Sequence, residues 1–146
     1  MGKRRKAREA TLQILFQLDF NSSELTQTIN HYWQDRKAFP GIREYSQWLV
    51  EGIISNQKEI DRIIQSFSKH WRLSRMAVVD RNILRMAVFE LLYEKNVAPA
   101  IIINEAIEIA KKYSGQEAAV FINGILDAIS KKLDSVKETM GERKNE

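Results

Sequence analysis

Cysteine is absent from this 146-residue chain, so disulfide bonds and thiolate metal sites are excluded. That absence fits a reducing compartment. Only two prolines and six glycines are present, and the apolar residues between them follow helical spacing almost throughout. No uncharged apolar run approaches the length of about 18 residues that a transmembrane helix needs. We therefore expect a soluble protein with one ordinary hydrophobic core.

The residue patterns of known catalytic and metal sites are also missing. The two histidines, His31 and His70, lie far apart, and neither belongs to a ligand motif. There is no glycine-rich phosphate loop and no Gly-x-Ser-x-Gly nucleophile motif. The sequence thus predicts a protein that is not an enzyme and holds no metal or other cofactor.

Positive charge is concentrated at one end of the chain. Five of the six residues from 3 to 8 are basic and none is acidic: Lys3, Arg4, Arg5, Lys6 and Arg8. Because the formal net charge is +4, the rest of the chain is close to neutral. An apolar-periodic stretch follows directly, so the cluster should form the first turns of a helix. Such a helix end fits a polyanion such as nucleic acid.

Other interpretations of this basic cluster are a solvated helix end, a targeting segment or a patch for anionic lipid. A secretory signal requires a continuous apolar core, which Glu9 and its polar neighbours interrupt. The apolar periodicity continues to Leu18, which favours a segment that stays in the fold over a transit peptide. We expect an intracellular, cytoplasmic protein.

The helical periodicity predicts an all-α fold, a single compact helical domain of about seven helices in two sub-bundles. The sub-bundles should comprise residues 1–70 and 71–140, with a polar, disordered tail at 141–146. The strongly apolar helix that follows Ser74 should be the most buried element.

Several helix boundaries can be predicted from individual residues. The first helix should run from about Arg5 to Phe20, with Ser23 capping the second. A break is expected near residues 55–56. Pro99 should open a later helix and Gly115 should close it.

Polar residues interrupt the apolar helices at Asp80, Arg81, Arg85, Asn104, Glu105 and Asn123. Burying such groups costs several kcal/mol unless they are hydrogen-bonded. One interpretation is an internal network, for example Arg81 or Arg85 with Glu105. The other is an exposed polar strip that receives another macromolecule.

Four blocks of the sequence occur in an order and spacing typical of one family. They are RRKAREA (4–10) with QILF (13–16), DRNILRMA (80–87) with EL (90–91), Pro99 leading to INEAIEIAK (103–111), and FINGILD (121–127). Together they resemble the NusB family of transcription antitermination factors over residues 4 to about 130.

The resemblance implies an all-α fold of two helical sub-bundles without enzymatic activity. NusB-like proteins pair with the small-subunit ribosomal protein NusE, and the pair binds the boxA element of nascent ribosomal RNA. This binding helps RNA polymerase in the elongation complex to read through terminators. Family members occur as monomers and as homodimers.

By position, the resemblance also implies roles for individual residues. The basic cluster Lys3, Arg4, Arg5, Lys6 and Arg8 matches the family's RNA-contacting arm, with Phe16 and Phe121 as nearby aromatic contacts. Asp80 falls where the family meets NusE. This transfer is physically reasonable, because single-stranded RNA is held by cations along its phosphates and by rings against its bases. Phe16 also fits a core position, since its spacing is helical.

Two residues depart from the family pattern. Val120 stands where many members carry a basic side chain, and Phe16 replaces the more usual tyrosine, which removes a hydroxyl group. Both changes bear on RNA affinity and not on the fold.

Three alternatives stay open. The same helical module occurs as an N-terminal region of certain ribosomal RNA methyltransferases, so the chain could be a fragment of such an enzyme. It could also be a helical protein-interaction module without RNA binding. A DNA-binding helix-turn-helix fits less well, because the Trp71–Ser74 link is followed by the most apolar helix.

Overall fold

The computed structural model describes residues 2–20, 24–37 and 39–144. These residues form eight α-helices and one turn of 3-10 helix, with no strand among them, which confirms the predicted all-α fold. In chain order the helices are α1 (Gly2–Phe20), α2 (Leu25–Trp33), α3 (Ile42–Ser55), α4 (Gln57–Phe67), α5 (Val78–Tyr93), α6 (Pro99–Tyr113), α7 (Gln116–Lys131) and α8 (Leu133–Lys144). The 3-10 turn, Leu73–Arg75, lies between α4 and α5.

The start of α2 differs from the prediction. The expected cap, Ser23, lies outside the described residues, and the N-cap is Glu24. The Glu24 carboxylate accepts hydrogen bonds from the backbone N–H groups of Thr26 and Gln27 at 3.1 and 3.3 Å. A carboxylate satisfies these N–H groups as a serine hydroxyl would, and its charge is favourable at a helix N-terminus.

Two predicted boundaries are confirmed. α3 ends at Ser55 and α4 begins at Gln57, with Asn56 between them at φ −115° and ψ 16°. Gly115 follows the end of α6 and has φ +104°, a backbone conformation that favours glycine. Its N–H donates to the carbonyl of Ala110 at 2.9 Å, an acceptor that also receives the Ser114 N–H at 2.8 Å.

The chain divides into two compact units, Met1–Ser55 and Asn56–Glu146. The predicted division lies at 70/71, whereas the two units of the structure meet at 55/56. The reason is the packing of α4, which contacts α5 and α7 of the second unit. Three isoleucines of α4 are buried: Ile60, Ile63 and Ile64.

In the first unit, α1 packs against α3 and α2. The fully buried apolar side chains include Ile14, Leu49, Val50 and Ile53. Within this core the hydroxyl oxygens of Thr11 and Ser46 are 2.9 Å apart and share a hydrogen bond. That bond joins α1 to α3 and satisfies two buried polar groups.

In the second unit, α5 is the central helix. All residues from 82 to 92 are buried, and α5 contacts α4, α6, α7 and α8. The prediction of a most buried helix after Ser74 is therefore confirmed.

Arg85 carries a buried polar network inside this core. Its Nε and one of its terminal nitrogens donate to the two carboxylate oxygens of Asp61 at 2.7 and 2.9 Å. The other terminal nitrogen donates to Asn82 Oδ1 at 3.1 Å. An internal network was expected for Arg85, but these hydrogen bonds go to Asp61 on α4 and Asn82 on α5 instead of Glu105. The Nε of Arg81 is buried and has no hydrogen-bond partner among the described residues.

The chain remains helical beyond the point where a disordered tail was predicted. α8 extends to Lys144, so residues 141–144 are helical, while Asn145 and Glu146 lie outside the described residues. Val136 and Met140, one helical turn apart, are buried, and α8 contacts α5 and α7. Burial of this apolar pair stabilises a helix whose other residues are mostly polar.

Candidate functional site

The basic cluster forms the beginning of α1. We call Lys3, Arg4, Arg5, Lys6 and Arg8 the basic arm. α1 starts at Gly2, three residues earlier than predicted, so the whole arm is helical. Lys3, Arg4 and Lys6 are exposed and Arg5 is half-buried. Arg8 is only 3% exposed, which sets it apart from the other four cations.

Two aromatic rings accompany the basic arm. The guanidinium carbon of Arg4 lies 3.8 Å from the centre of the Tyr45 ring, and that of Arg8 lies 6.0 Å from it. Arg4 and Arg8 share one face of α1, because residues four apart in a helix are neighbours. The ammonium group of Lys6 lies 5.9 Å from the Phe39 ring. Cation–π contacts therefore hold three of the five basic side chains.

Phe16 lies further along α1 and is 43% exposed. Its ring is 4.7 Å from that of Phe20, which is also exposed. The core position considered for Phe16 is thus wrong, and its ring is available to an external partner.

Phe121 lies in the second unit, on α7. Its ring meets that of Trp71 edge to face, with centroids 6.4 Å apart. Both rings border a cavity of about 390 Å³, which is lined by Trp71, Arg75, Met76, Ala77, Asp80, Ser114, Glu117, Ala118 and Phe121. A cavity with two rings, a cation and two carboxylates offers both stacking and charged contacts.

Asp80 lies in the first turn of α5 and borders this cavity. Its carboxylate accepts a hydrogen bond from the Ser114 hydroxyl, which follows the end of α6. The structure thus brings Asp80 and Phe121 to one cavity. The basic arm and Phe16 belong to the first unit.

Sequence reasoning missed the aromatic residues Tyr45, Trp48 and Trp71. Only Trp71 entered the sequence analysis, as part of the Trp71–Ser74 link. The neighbours of Trp71 in sequence, Lys69, His70 and Arg72, are polar, and the structure shows its ring 57% exposed.

The polar interruptions of α6 and α7 do not all enter the core. Asn104 and Asn123 are exposed, which agrees with the interpretation of an exposed polar strip for these two residues. Val120, at the position where a basic residue was noted as usual, is 65% exposed. An exposed aliphatic side chain there supplies no charge to a partner.

The described residues contain no cluster of three histidine, aspartate or glutamate side chains arranged to hold a metal ion. Among the described helices, none is both long enough and hydrophobic enough to cross a bilayer.

Relatives of known name match nearly the whole chain. A "Transcription antitermination protein NusB" of Desulfitobacterium hafniense is 44% identical over 138 residues, covering 92% of this chain and 93% of the relative. The protein of the same name from Desulfatibacillum aliphaticivorans is 42% identical and covers 99% of each chain.

Solved structures show the same fold. NusB of T. maritima superposes with a TM-score of 0.82 at 39% sequence identity, covering 88% of this chain and 91% of that one. A chain from a crystal structure of antitermination factors NusB and NusE in complex with double-stranded RNA has a TM-score of 0.79 at 30% identity, covering 90% and 98%. The sequence model that describes the NusB family matches residues 5–131. This chain therefore belongs to the NusB family of transcription antitermination proteins.

Proposed function

We propose that this protein binds boxA-type single-stranded RNA in nascent ribosomal RNA transcripts together with NusE, and so promotes read-through by RNA polymerase. It acts in the cytoplasm as a binding protein of the elongation complex, with no catalytic step of its own.

The observation that carries this proposal is the exposed cationic turn at the start of α1, in a chain that matches the NusB family over residues 5–131. Each phosphate neutralised on a single strand releases counterions, and the logarithm of affinity falls by about 0.7 per contact for each tenfold rise in salt. Three or four contacts from the basic arm therefore predict a slope of about −2 to −3.

Lys3, Arg4, Arg5 and Lys6 are the proposed phosphate contacts, and Phe16 and Phe121 are the proposed stacking residues. The exposure of the Phe16 ring supports its role, because a stacking residue must present a face to the base. Arg8 is proposed to contribute mainly to the local positive potential, since it is buried against the first unit.

Asp80 is proposed as a contact for NusE. Its carboxylate borders an open cavity and accepts a hydrogen bond from Ser114. Among the described residues, no cation forms an ion pair with it at hydrogen-bond distance. A carboxylate in this setting complements a basic ribosomal protein and steers its association.

Fluorescence anisotropy tests the proposal. A labelled boxA-type RNA and a scrambled RNA of equal length are titrated with the protein, with and without NusE, at two salt concentrations. We expect selective binding to boxA that NusE strengthens and salt weakens. Absence of selective binding even with NusE would favour a protein-interaction module instead.

A charge-reversed variant links the binding to the basic arm. We expect Arg4→Glu with Arg5→Glu to abolish RNA binding while the helical circular dichroism stays unchanged, because both residues lie at a helix end. The matched control is Lys131→Glu with Lys132→Glu, an adjacent exposed pair at the end of α7. RNA affinity that survives in the first variant would refute the assigned arm.

A further inference from the structure

Tyr45 and Trp48 form an aromatic step on α3. They are three residues apart and share one face of the helix, with ring centroids 5.4 Å apart and planes inclined by 37°. Trp48 is 38% exposed, although its neighbours Leu49 and Val50 are fully buried. Part of a large indole ring therefore faces the solvent beside a packed core.

The aromatic step adjoins the basic arm. Arg4 stacks over the Tyr45 ring at 3.8 Å, so Arg4, Tyr45 and Trp48 form a continuous row from α1 to α3. Stacking uses the face of the guanidinium plane, whereas hydrogen bonds to a phosphate use its edge. Arg4 can therefore contact the ring and a phosphate at the same time, and the ring contact limits the freedom of its side chain.

The acids of α3 nearest this row are already engaged. The Glu44 carboxylate accepts a hydrogen bond from the Gly41 N–H at 2.8 Å, which caps the start of α3. The Glu51 carboxylate accepts one from the Gln47 side chain at 3.0 Å. These neutral donors orient the two carboxylates but leave their charges in place. The five cations of the basic arm outnumber Glu44 and Glu51, so the net charge of this group of residues is positive and suits an anionic partner.

We propose that the Trp48 ring is a stacking platform for one base of the bound RNA, whose phosphate is held by Arg4. This inference rests on the proposed RNA-binding function and adds a base contact on α3 to it. Neighbouring cations and rings are the combination by which proteins hold single-stranded nucleic acid. None of the four sequence blocks that carry the family resemblance includes Tyr45 or Trp48.

Substitution of Trp48 tests the platform. We expect Trp48→Ala to weaken binding of labelled boxA-type RNA about tenfold, the usual scale for one lost base stack, with an unchanged salt slope. Trp48→Phe keeps a ring and should retain most of the affinity. The matched control is Ile54→Ala, which truncates an apolar side chain of the same helix that is similarly exposed at 36%.

Substitution of Arg4 tests the phosphate contact. Arg4→Gln should weaken binding and also reduce the salt slope by about 0.7, the change for one phosphate. If one nucleotide is held by both residues, the double variant should lose less than the product of the two single losses.

The outcomes separate this inference from the proposed function. Normal RNA affinity in Trp48→Ala, with selective binding by the unchanged protein, overturns the platform alone. If Trp48→Ala lowers the melting temperature of the protein together with its RNA affinity, the platform is overturned in favour of a structural role for Trp48. Weakened NusE association with unchanged RNA affinity overturns it in favour of a protein contact. If the unchanged protein binds no RNA even with NusE, both proposals fail.

Discussion

Arg85 illustrates how a single buried cation determines the packing of two helices. Its side chain is 8% exposed and its partner Asp61 is 25% exposed. Both carboxylate oxygens of Asp61 receive hydrogen bonds from Arg85, which gives the fork-like geometry of a strong arginine–carboxylate pair. The pair joins α4 to α5, so it contributes to the grouping of α4 with the second unit.

We expect Asp61→Ala to lower the free energy of unfolding by about 2 kcal/mol, because it leaves a buried guanidinium without its carboxylate. Urea denaturation followed by helical circular dichroism measures this change. The control replaces both partners, Asp61→Leu with Arg85→Met, and should cost less than the single substitution. A single variant as stable as the unchanged protein would show that the pair contributes nothing.

At the scale of elements, the connection between α6 and α7 depends on one glycine. Gly115 has φ +104° and ψ 175°, a region that is essentially restricted to glycine. A methyl group added there would meet no atom within 4 Å beyond the two residues adjacent in the chain. The cost of a substitution therefore comes from the backbone conformation and not from a steric clash.

We expect Gly115→Ala to destabilise the protein by about 1 to 3 kcal/mol for this reason. Gly124→Ala is the matched comparison, because Gly124 lies within α7 and also has open space around it. An alanine there should stabilise the helix by about 0.5 to 1 kcal/mol. Thermal unfolding of both variants gives the sign, and equal effects at the two sites would contradict this account.

The basic arm is also an element-scale feature. A helix beginning at Gly2 holds the cations in a defined spatial order, and the rings of Tyr45 and Phe39 restrict them further. Restricting side chains before binding reduces the entropy that binding must overcome. The basic arm is therefore a preorganised helical surface.

At the scale of the whole molecule, the proposed RNA contacts and the proposed NusE contact are distributed over two compact units. The basic arm belongs to the first unit, whereas Asp80 and Phe121 belong to the second. Cooperation between RNA and NusE would be a coupling free energy between these contacts, and it must be the same for either order of binding.

We expect NusE to raise RNA affinity by about tenfold, within the usual range of such couplings. Asp80→Lys should abolish that increase without lowering RNA affinity in the absence of NusE, since it adds positive charge beside the proposed RNA contact Phe121. Titrations of each variant with and without NusE measure both quantities.

The control for Asp80 is Ser114→Ala. It removes the hydrogen bond that the Ser114 hydroxyl donates to Asp80 but keeps the carboxylate. We expect NusE enhancement to persist in this variant. If the two variants lose the NusE enhancement equally, the role of Asp80 is structural. The same conclusion follows if Asp80→Lys lowers the melting temperature of the protein along with the enhancement.

Local residue patterns were sufficient to predict most helix boundaries. Proline at the start of α6, glycine after its end and the break at Asn56 depend on backbone conformations that one or two residues determine. The Glu24 cap was missed because serine, threonine, aspartate and asparagine are preferred there, and glutamate is a less usual choice.

The sequence by itself therefore determined the all-α class, the central position of α5, the helical basic arm and the family. These properties follow from the period of the apolar residues, from local charge density and from residue identity, all of which are encoded over short distances along the chain.

Only the tertiary structure decided which distant residues meet. It paired Arg85 with Asp61, grouped α4 with the second unit, buried Arg8, exposed Phe16 and placed Tyr45 beneath Arg4. Helical periodicity indicates which face of a helix is apolar, but it does not indicate which other helix packs against that face. That choice depends on the packing of side chains from separate helices, whose shapes and volumes must fit together.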